Sequence, residues 1–190
     1  STPVRFVPAP LPETYLDARG PLDLGDVAYR SLDPGFGGGS LKDSQVLKRA
    51  SELGQVFVSV LNPRDPRKNL ARMLRAMDAV LRSAPDAVFV LKAAVAPGTG
   101  DLDLCRELVG LAGGLGAGAA RIYVVGMDLD EESMIALHEL ATFYVCASHG
   151  EGQNLPILES MARGTVPVSV RNTAMQDYLN DGNSIIVDDW

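Results

Sequence analysis

Cysteine, histidine and tryptophan are scarce in this chain, with two, two and one in 190 residues. Two cysteines, Cys105 and Cys146, cannot build a disulfide scaffold. Both sit in apolar, element-like segments and read as buried thiols of a reducing compartment, the cytoplasm being the simplest location. His138 and His149 add no pair at ligand-like spacing within one motif, so no zinc site and no other metal is expected. His138 reads as a partly exposed helix residue. No apolar run approaches the ~18 residues that would cross a bilayer. The opening Ser1-Thr2-Pro3-Val4-Arg5 lacks the shape of a signal peptide. Positive charge is also short. A net charge of −7 argues against a nucleic-acid binder. An anionic small ligand stays open, because local charge decides that. A phosphate-binding G-x-x-x-x-G-K-[ST] loop and a G-x-S-x-G nucleophile elbow are both missing. A glycine-rich run, Gly113-Gly114-Leu115-Gly116-Ala117-Gly118, follows a predicted helix and precedes a strand. A dinucleotide fingerprint needs the reverse order, so this run reads as a helix-to-strand loop.

Hydrophobic residues make up 46% of the chain and charged residues 22%, an ordinary balance for one globular domain. Residues 1–40 stand apart. They are rich in proline and end in Gly35-Phe36-Gly37-Gly38-Gly39-Ser40, which reads as a linker or mobile loop, with one short strand at Val4 to Val7. We therefore divide the chain into an irregular segment, 1–40, and a folded domain, 41–190.

From residue 55 the pattern is regular. Strands are expected at 56–61, 87–91, 122–125, 143–146, 166–170 and 184–187. Helices are expected at 66–81, 102–111, 130–141 and about 155–163, with a short one near 174–179. Asp65 and Pro66 supply an N-cap and a first-turn proline. Short apolar strands alternating with longer helices imply an α/β, Rossmann-like open parallel sheet with helices on both faces. Such sheets bind ligands at the carboxyl ends of their strands. The loops of interest therefore follow Leu61, Leu91, Val125 and Cys146.

Two of those loops carry concentrated polar chemistry. Arg64, Arg67 and Lys68 follow the first strand at a helix start, where cations oppose the helix dipole. A bound phosphate would reverse that balance, with Lys68 as a point charge and Arg64 as a forked donor. Read alone, the run fits a solvated basic turn equally well. The second loop is His149-Gly150-Glu151-Gly152-Gln153-Asn154, which enters a helix through Leu155 and Pro156. Asn154 can cap that helix, and the unpaired N–H groups at its start suit an anion. Gly150 and Gly152 suit backbone that turns sharply or closely approaches a ligand. Glu159 follows one turn into the helix.

These motifs resemble a known family. Val58-Ser59-Val60, Asp65-Pro66-Arg67-Lys68-Asn69-Leu70, Val125-Gly126, Ser148, Glu151-Gly152, Leu155-Pro156, Glu159-Ser160-Met161-Ala162 and Gly164-Thr165-Val166-Pro167-Val168 carry the match over roughly residues 55–188. The chain resembles the C-terminal, donor-binding half of retaining glycosyltransferases with the two-Rossmann-domain GT-B fold, of the group 1 or family 4 type. Glu151 and Glu159 stand in that family's E-x7-E spacing.

The resemblance implies a nucleoside-diphosphate sugar, UDP- or GDP-linked, as donor substrate, and no cofactor. It implies that Lys68 contacts the diphosphate and that Glu159 binds the ribose hydroxyls. It places Glu151 beside the transferred sugar, as a catalytic residue together with Lys68. Backbone of Gly152, Gln153, Asn154 and Leu155 would hold sugar or phosphate oxygens, and His149 would help orient the donor. Glu159 is thereby kept for ribose, which argues against a two-carboxylate glycosidase. The acceptor, a glycan or a lipid-linked hydroxyl, would lie against an N-terminal domain that 190 residues leave no room for. The fragment would then be inactive alone, and the full-length protein could associate peripherally with a membrane.

The chain also departs from the family. Pro63 stands where an arginine is common, with Arg64 one step away as the candidate substitute. Lys92 stands where the strand end usually has glycine, and either enters the cleft or is solvated. Gln153-Asn154 replaces an aromatic-glycine pair. With Thr173 to Tyr178, this implies a divergent branch in surface-polysaccharide synthesis. A non-catalytic nucleotide- or sugar-binding module is the alternative reading. A nicotinamide- or flavin-dependent enzyme is disfavoured by the misplaced glycine run.

Overall fold

A computed structural model describes Leu11, residues 13–16 and residues 23–187. The strand expected at Val4 to Val7 lies outside the described residues. Eight strands form one sheet: β1 (Ala28–Ser31), β2 (Gly38–Ser40), β3 (Val56–Leu61), β4 (Val88–Ala93), β5 (Ile122–Val125), β6 (Phe143–Cys146), β7 (Val166–Ser169) and β8 (Ile185–Ile186). The helices are α1 (Gln45–Glu52), α2 (Leu70–Ser83), α3 (Asp101–Ala112), α4 (Glu131–Leu140) and α5 (Leu155–Ala162). Among the described residues, no helix is long and apolar enough to cross a membrane.

The sheet order is β2-β1-β5-β4-β3-β6-β7-β8, with β3 to β8 parallel and the β1–β2 hairpin antiparallel at one edge. From β3 the chain winds outward through β4 to β5, then crosses back to β6 and winds the other way. This is a doubly wound, Rossmann-like α/β sheet. Its winding reverses between β3 and β6, where such sheets open a crevice at their carboxyl edge.

Alternation along β4 shows how two cores form. Phe89, Leu91 and Ala93 face α2 and α3, meeting Met73, Leu74, Leu81, Leu104 and Leu108. Val88 and Val90 face the other way, toward Leu47 of α1 and Leu137 of α4. All six β4 residues are buried, as a central parallel strand requires. Arg121, just before β5, fastens the far end of α2. Its guanidinium donates to the carbonyls of Leu81, in the last turn of α2 where a helix leaves acceptors unpaired, and of Ala84 and Ala87 just beyond it.

Two segments differ from the expectation for residues before 55. Residues 28–31 and 38–40 pair as a hairpin, so Gly38 and Gly39 lie in a strand, not a linker. A side chain on Gly38 would sit 2.7 Å from the Tyr29 carbonyl oxygen, which explains glycine there. Helix α1 also went unexpected. Ser44 caps it by accepting from the Leu47 N–H, yet only Leu47 and Ala50 are buried in its eight residues.

Candidate functional site

The two polar loops meet at the switch between β3 and β6. After β3, residues 66–68 form one 3-10 turn. Asp65 is its N-cap, accepting from the Arg67 N–H at 3.0 Å. Asn69 then adopts a left-handed conformation (φ 52°) and α2 begins. The expected continuous helix from Pro66 is thus broken at Asn69. The break turns Lys68 inward, toward the loop after β6.

Lys68 Nζ donates to Glu151 Oε1 at 2.5 Å, and both side chains are largely buried, at 17% and 7% exposure. The main chains are joined as well. The His149 N–H donates to the Arg67 carbonyl at 2.8 Å, and Arg67 reaches the Gly150 carbonyl. A narrow crevice lies between the loops, lined by Ser59, Lys68, Tyr144, Ser148, Glu151 and Asn154 among others. Tyr144 forms its floor. Its hydroxyl lies across β3, accepting from the Val60 N–H and donating to the Val60 carbonyl.

The acidic loop is held from behind by residues after β7. Thr173 Oγ1 accepts from the Glu151 N–H, Asn172 donates to the carbonyls of Ser148 and His149, and Tyr178 donates to the Gln153 carbonyl. Sequence reasoning missed this scaffold. Its only signal was the polar run between two strands, which shows no target. The backbone N–H groups of residues 152–155 donate to no protein acceptor among the described residues. They remain available at the start of α5 for an anion.

Several expectations change in detail. Asn154 occupies the N-cap position of α5 but makes no capping bond. Its amide turns inward to Cys146 Sγ at 3.1 Å and Met175 Sδ. The sharp turn in this loop is made by Asn154 itself (φ 58°), not by Gly150 or Gly152, neither of which has a positive φ. A Cβ on Gly152 would meet nothing within 4 Å, so that space is open. Arg64 is not brought to the crevice. It makes a forked pair with Glu107 of α3 at 3.2 and 3.0 Å. His149 is exposed and its backbone ties the loops. Glu159 lies in α5 outside the crevice lining, 19% exposed, with Oε2 3.6 Å from His138 Nε2.

His138 is fully buried rather than partly exposed, because α4 packs against α5 as well as the sheet. Lys92 is buried too, so it is not solvated. It donates to the Ala93 carbonyl, and burial lowers its pKa against the opposing charge of Asp128. Cys105 and Cys146 are free and buried, and burial raises the Cys105 thiol to about 11. No group of three or more potential metal ligands occurs among the described residues.

Burial also raises four phenols. Tyr15 and Tyr123 rise to about 12, Tyr144 well above its ordinary value, and Tyr178 rises as well. The unfolded chain loses these protons near pH ~10, whereas the folded chain keeps them. Their contribution is therefore complete below that pH and is lost as pH climbs toward the folded values. We expect the melting temperature to fall above about pH 10. Phenolate absorbance from these four residues should rise with unfolding, and four phenolates in a still-folded chain would contradict the burial argument.

Comparison with known proteins places the chain in a family and shows a shared fold. The family model described as glycosyl transferases group 1 matches residues 54–189. The protein named "Putative glycosyltransferase ORF330" of Acidianus filamentous virus 2 is 44% identical over 52 residues, which is 27% of this chain and 16% of that protein. Among solved structures, the C-terminal domain of the glycosyl transferase group 1 family protein LpcC from Francisella tularensis superposes with a TM-score of 0.56 at 23% identity. That match covers 77% of this chain and 75% of that one. A UDP-forming trehalose-phosphate synthase from Burkholderia xenovorans gives 0.55 at 18% identity, covering 77% of this chain and 36% of its own. The chain thus spans about a third of that enzyme and a smaller share of the viral protein.

Proposed function

We propose a reaction from one premise: this chain belongs to the glycosyl transferases group 1 family. In that reading it is the donor-binding half of a retaining, hexosyl-type transferase. A nucleoside-diphosphate sugar, UDP- or GDP-linked, is the donor, and a hydroxyl of a glycan or lipid-linked acceptor is the recipient. The acceptor binds against a second, N-terminal domain, and the pathway is surface-polysaccharide synthesis.

The observation that carries this reading is the meeting of Lys68 and Glu151 at 2.5 Å, one from each half of the sheet. Without a ligand each neutralises the other. With a donor present, the diphosphate takes the Lys68 ammonium and the N–H groups of residues 152–155. Glu151 is then released to accept hydrogen bonds from the sugar hydroxyls. As the glycosidic bond breaks, negative charge builds on the departing diphosphate, and the same donors stabilise it in place. Glu159 accepts from the ribose hydroxyls. Arg64 joins by leaving Glu107 for the phosphate, and His149, exposed beside the loop, orients the donor.

Titration calorimetry of the chain with UDP, GDP, ADP and their sugars tests the reading. Binding of at least one at millimolar concentration is expected, with little sugar transfer by the chain alone. Failure of every nucleotide to bind at that concentration overturns the donor-domain assignment.

A further inference from the structure

Glu159 has a buried neighbour that the proposed reaction leaves unused. His138 is 0% exposed, yet its Nε2 has no hydrogen-bond partner. That nitrogen lies 3.6 Å from Glu159 Oε2, and Nδ1 of the same ring lies 2.5 Å from Ser160 Oγ. Two successive residues of α5 therefore meet the two nitrogens of one imidazole on α4. Ser160 is itself 0% exposed, so it presents no nucleophile to a substrate.

The neutral ring has two arrangements. With the hydrogen on Nδ1, the Nε2 lone pair would face a carboxylate away from water, which is repulsive. With the Ser160 hydroxyl donating to Nδ1, the hydrogen sits on Nε2 and points at Glu159. Electrostatics selects the second arrangement. The ring is also confined. Tyr15 packs edge-on at 5.9 Å between centroids and Tyr144 lies at 6.3 Å. The His138 carbonyl accepts from Thr165.

We propose that His138, held in its Nε2–H form by Ser160, is a positioning residue for Glu159. The N–H draws Oε2 inward and fixes the rotamer in which the remaining carboxylate lone pairs receive two ribose hydroxyls. This rests on the reading of Glu159 as the ribose contact. Preorganisation of this kind acts on the sugar-recognising share of affinity and leaves the phosphate share unchanged.

The test compares UDP, GDP and ADP with their 2′,3′-dideoxy analogues by calorimetry on the full chain, with circular dichroism to verify folding. The wild-type chain should prefer the ribonucleotide by about tenfold or more, and E159Q should lose that preference. H138F and S160A should each lose roughly fivefold of it, with dideoxynucleotide affinity within about twofold of wild type. H138Q, which restores a side-chain N–H, should recover part. General damage to packing would weaken both ligands together. A folded H138F with the full preference overturns the proposal; if H138F does not fold, S160A with the full preference does so. A wild-type chain with no preference overturns the ribose reading and this inference with it. A preference lost in E159Q but kept in the His138 and Ser160 variants overturns this inference alone.

Discussion

Replacing Lys68 with alanine is expected to lower kcat/KM for sugar transfer by about two to three orders of magnitude in a protein that carries both domains. That is the usual cost of removing one preorganised donor to a developing anion, about 3 kcal/mol. The same change should also weaken the fold. Glu151, 7% exposed in the intact site, loses the cation 2.5 Å away. A carboxylate so placed costs on the order of 1–3 kcal/mol when its partner is removed. Arg67, whose charge also acts on Glu151, offsets part of this. The two effects separate in the double variant. Adding E151Q to K68A should recover most of the lost stability in denaturant titrations, and none of the lost transfer. A K68A protein with near-normal kcat/KM would remove Lys68 from the mechanism.

The second large effect lies in the glycine run that mimics a dinucleotide fingerprint. Gly118 is buried where the 3-10 turn before β5 crosses α2. A Cβ there would lie 2.3 Å from the Asp78 carbonyl oxygen and 2.8 Å from Asp78 Oδ1. The first obstacle is backbone, so no rotamer change relieves it. Gly118→Ala is expected to destabilise the chain by about 3 kcal/mol, at the upper end for overpacking. Gly110, inside α3, meets nothing within 4 Å. Gly110→Ala should therefore act in the opposite sense, adding roughly 0.5–1 kcal/mol through helix propensity. Urea unfolding of the two variants decides this. Equal effects would mean that the glycines serve chain flexibility rather than close approach.

The sequence made the two halves of the sheet legible wherever burial on both faces demanded it. Val56–Leu61 and Val88–Ala93 are apolar but for Ser59 and Lys92 because helices cover both sides, and such runs are hard to mistake. The hairpin was hidden because Gly38, Gly39 and Ser40 carry almost no side-chain pattern and lie at an edge. Helix α1 was hidden because most of its eight residues face water. At the site, Lys68 and Glu151 were legible as chemistry, but their contact spans 83 residues and no local pattern encodes it. His138 was misplaced for a related reason. A single helix viewed alone shows one apolar face, whereas α4 is covered by the sheet and by α5. The inward turn of Asn154 was equally unreadable, since its partners, Cys146 and Met175, come from other elements.

The link between His149 and Arg67 has an entropic consequence. The loops after β3 and β6 are already fastened, by that backbone bond and by Asn172, Thr173 and Tyr178 behind them. Ordering a loop costs on the order of 1–2 kcal/mol per residue fixed. Here folding has met that cost before any ligand arrives. On the donor-binding reading, binding needs little more than side-chain exchange, of Lys68 from carboxylate to phosphate and of Arg64 from Glu107, and its unfavourable entropy is confined largely to the ligand.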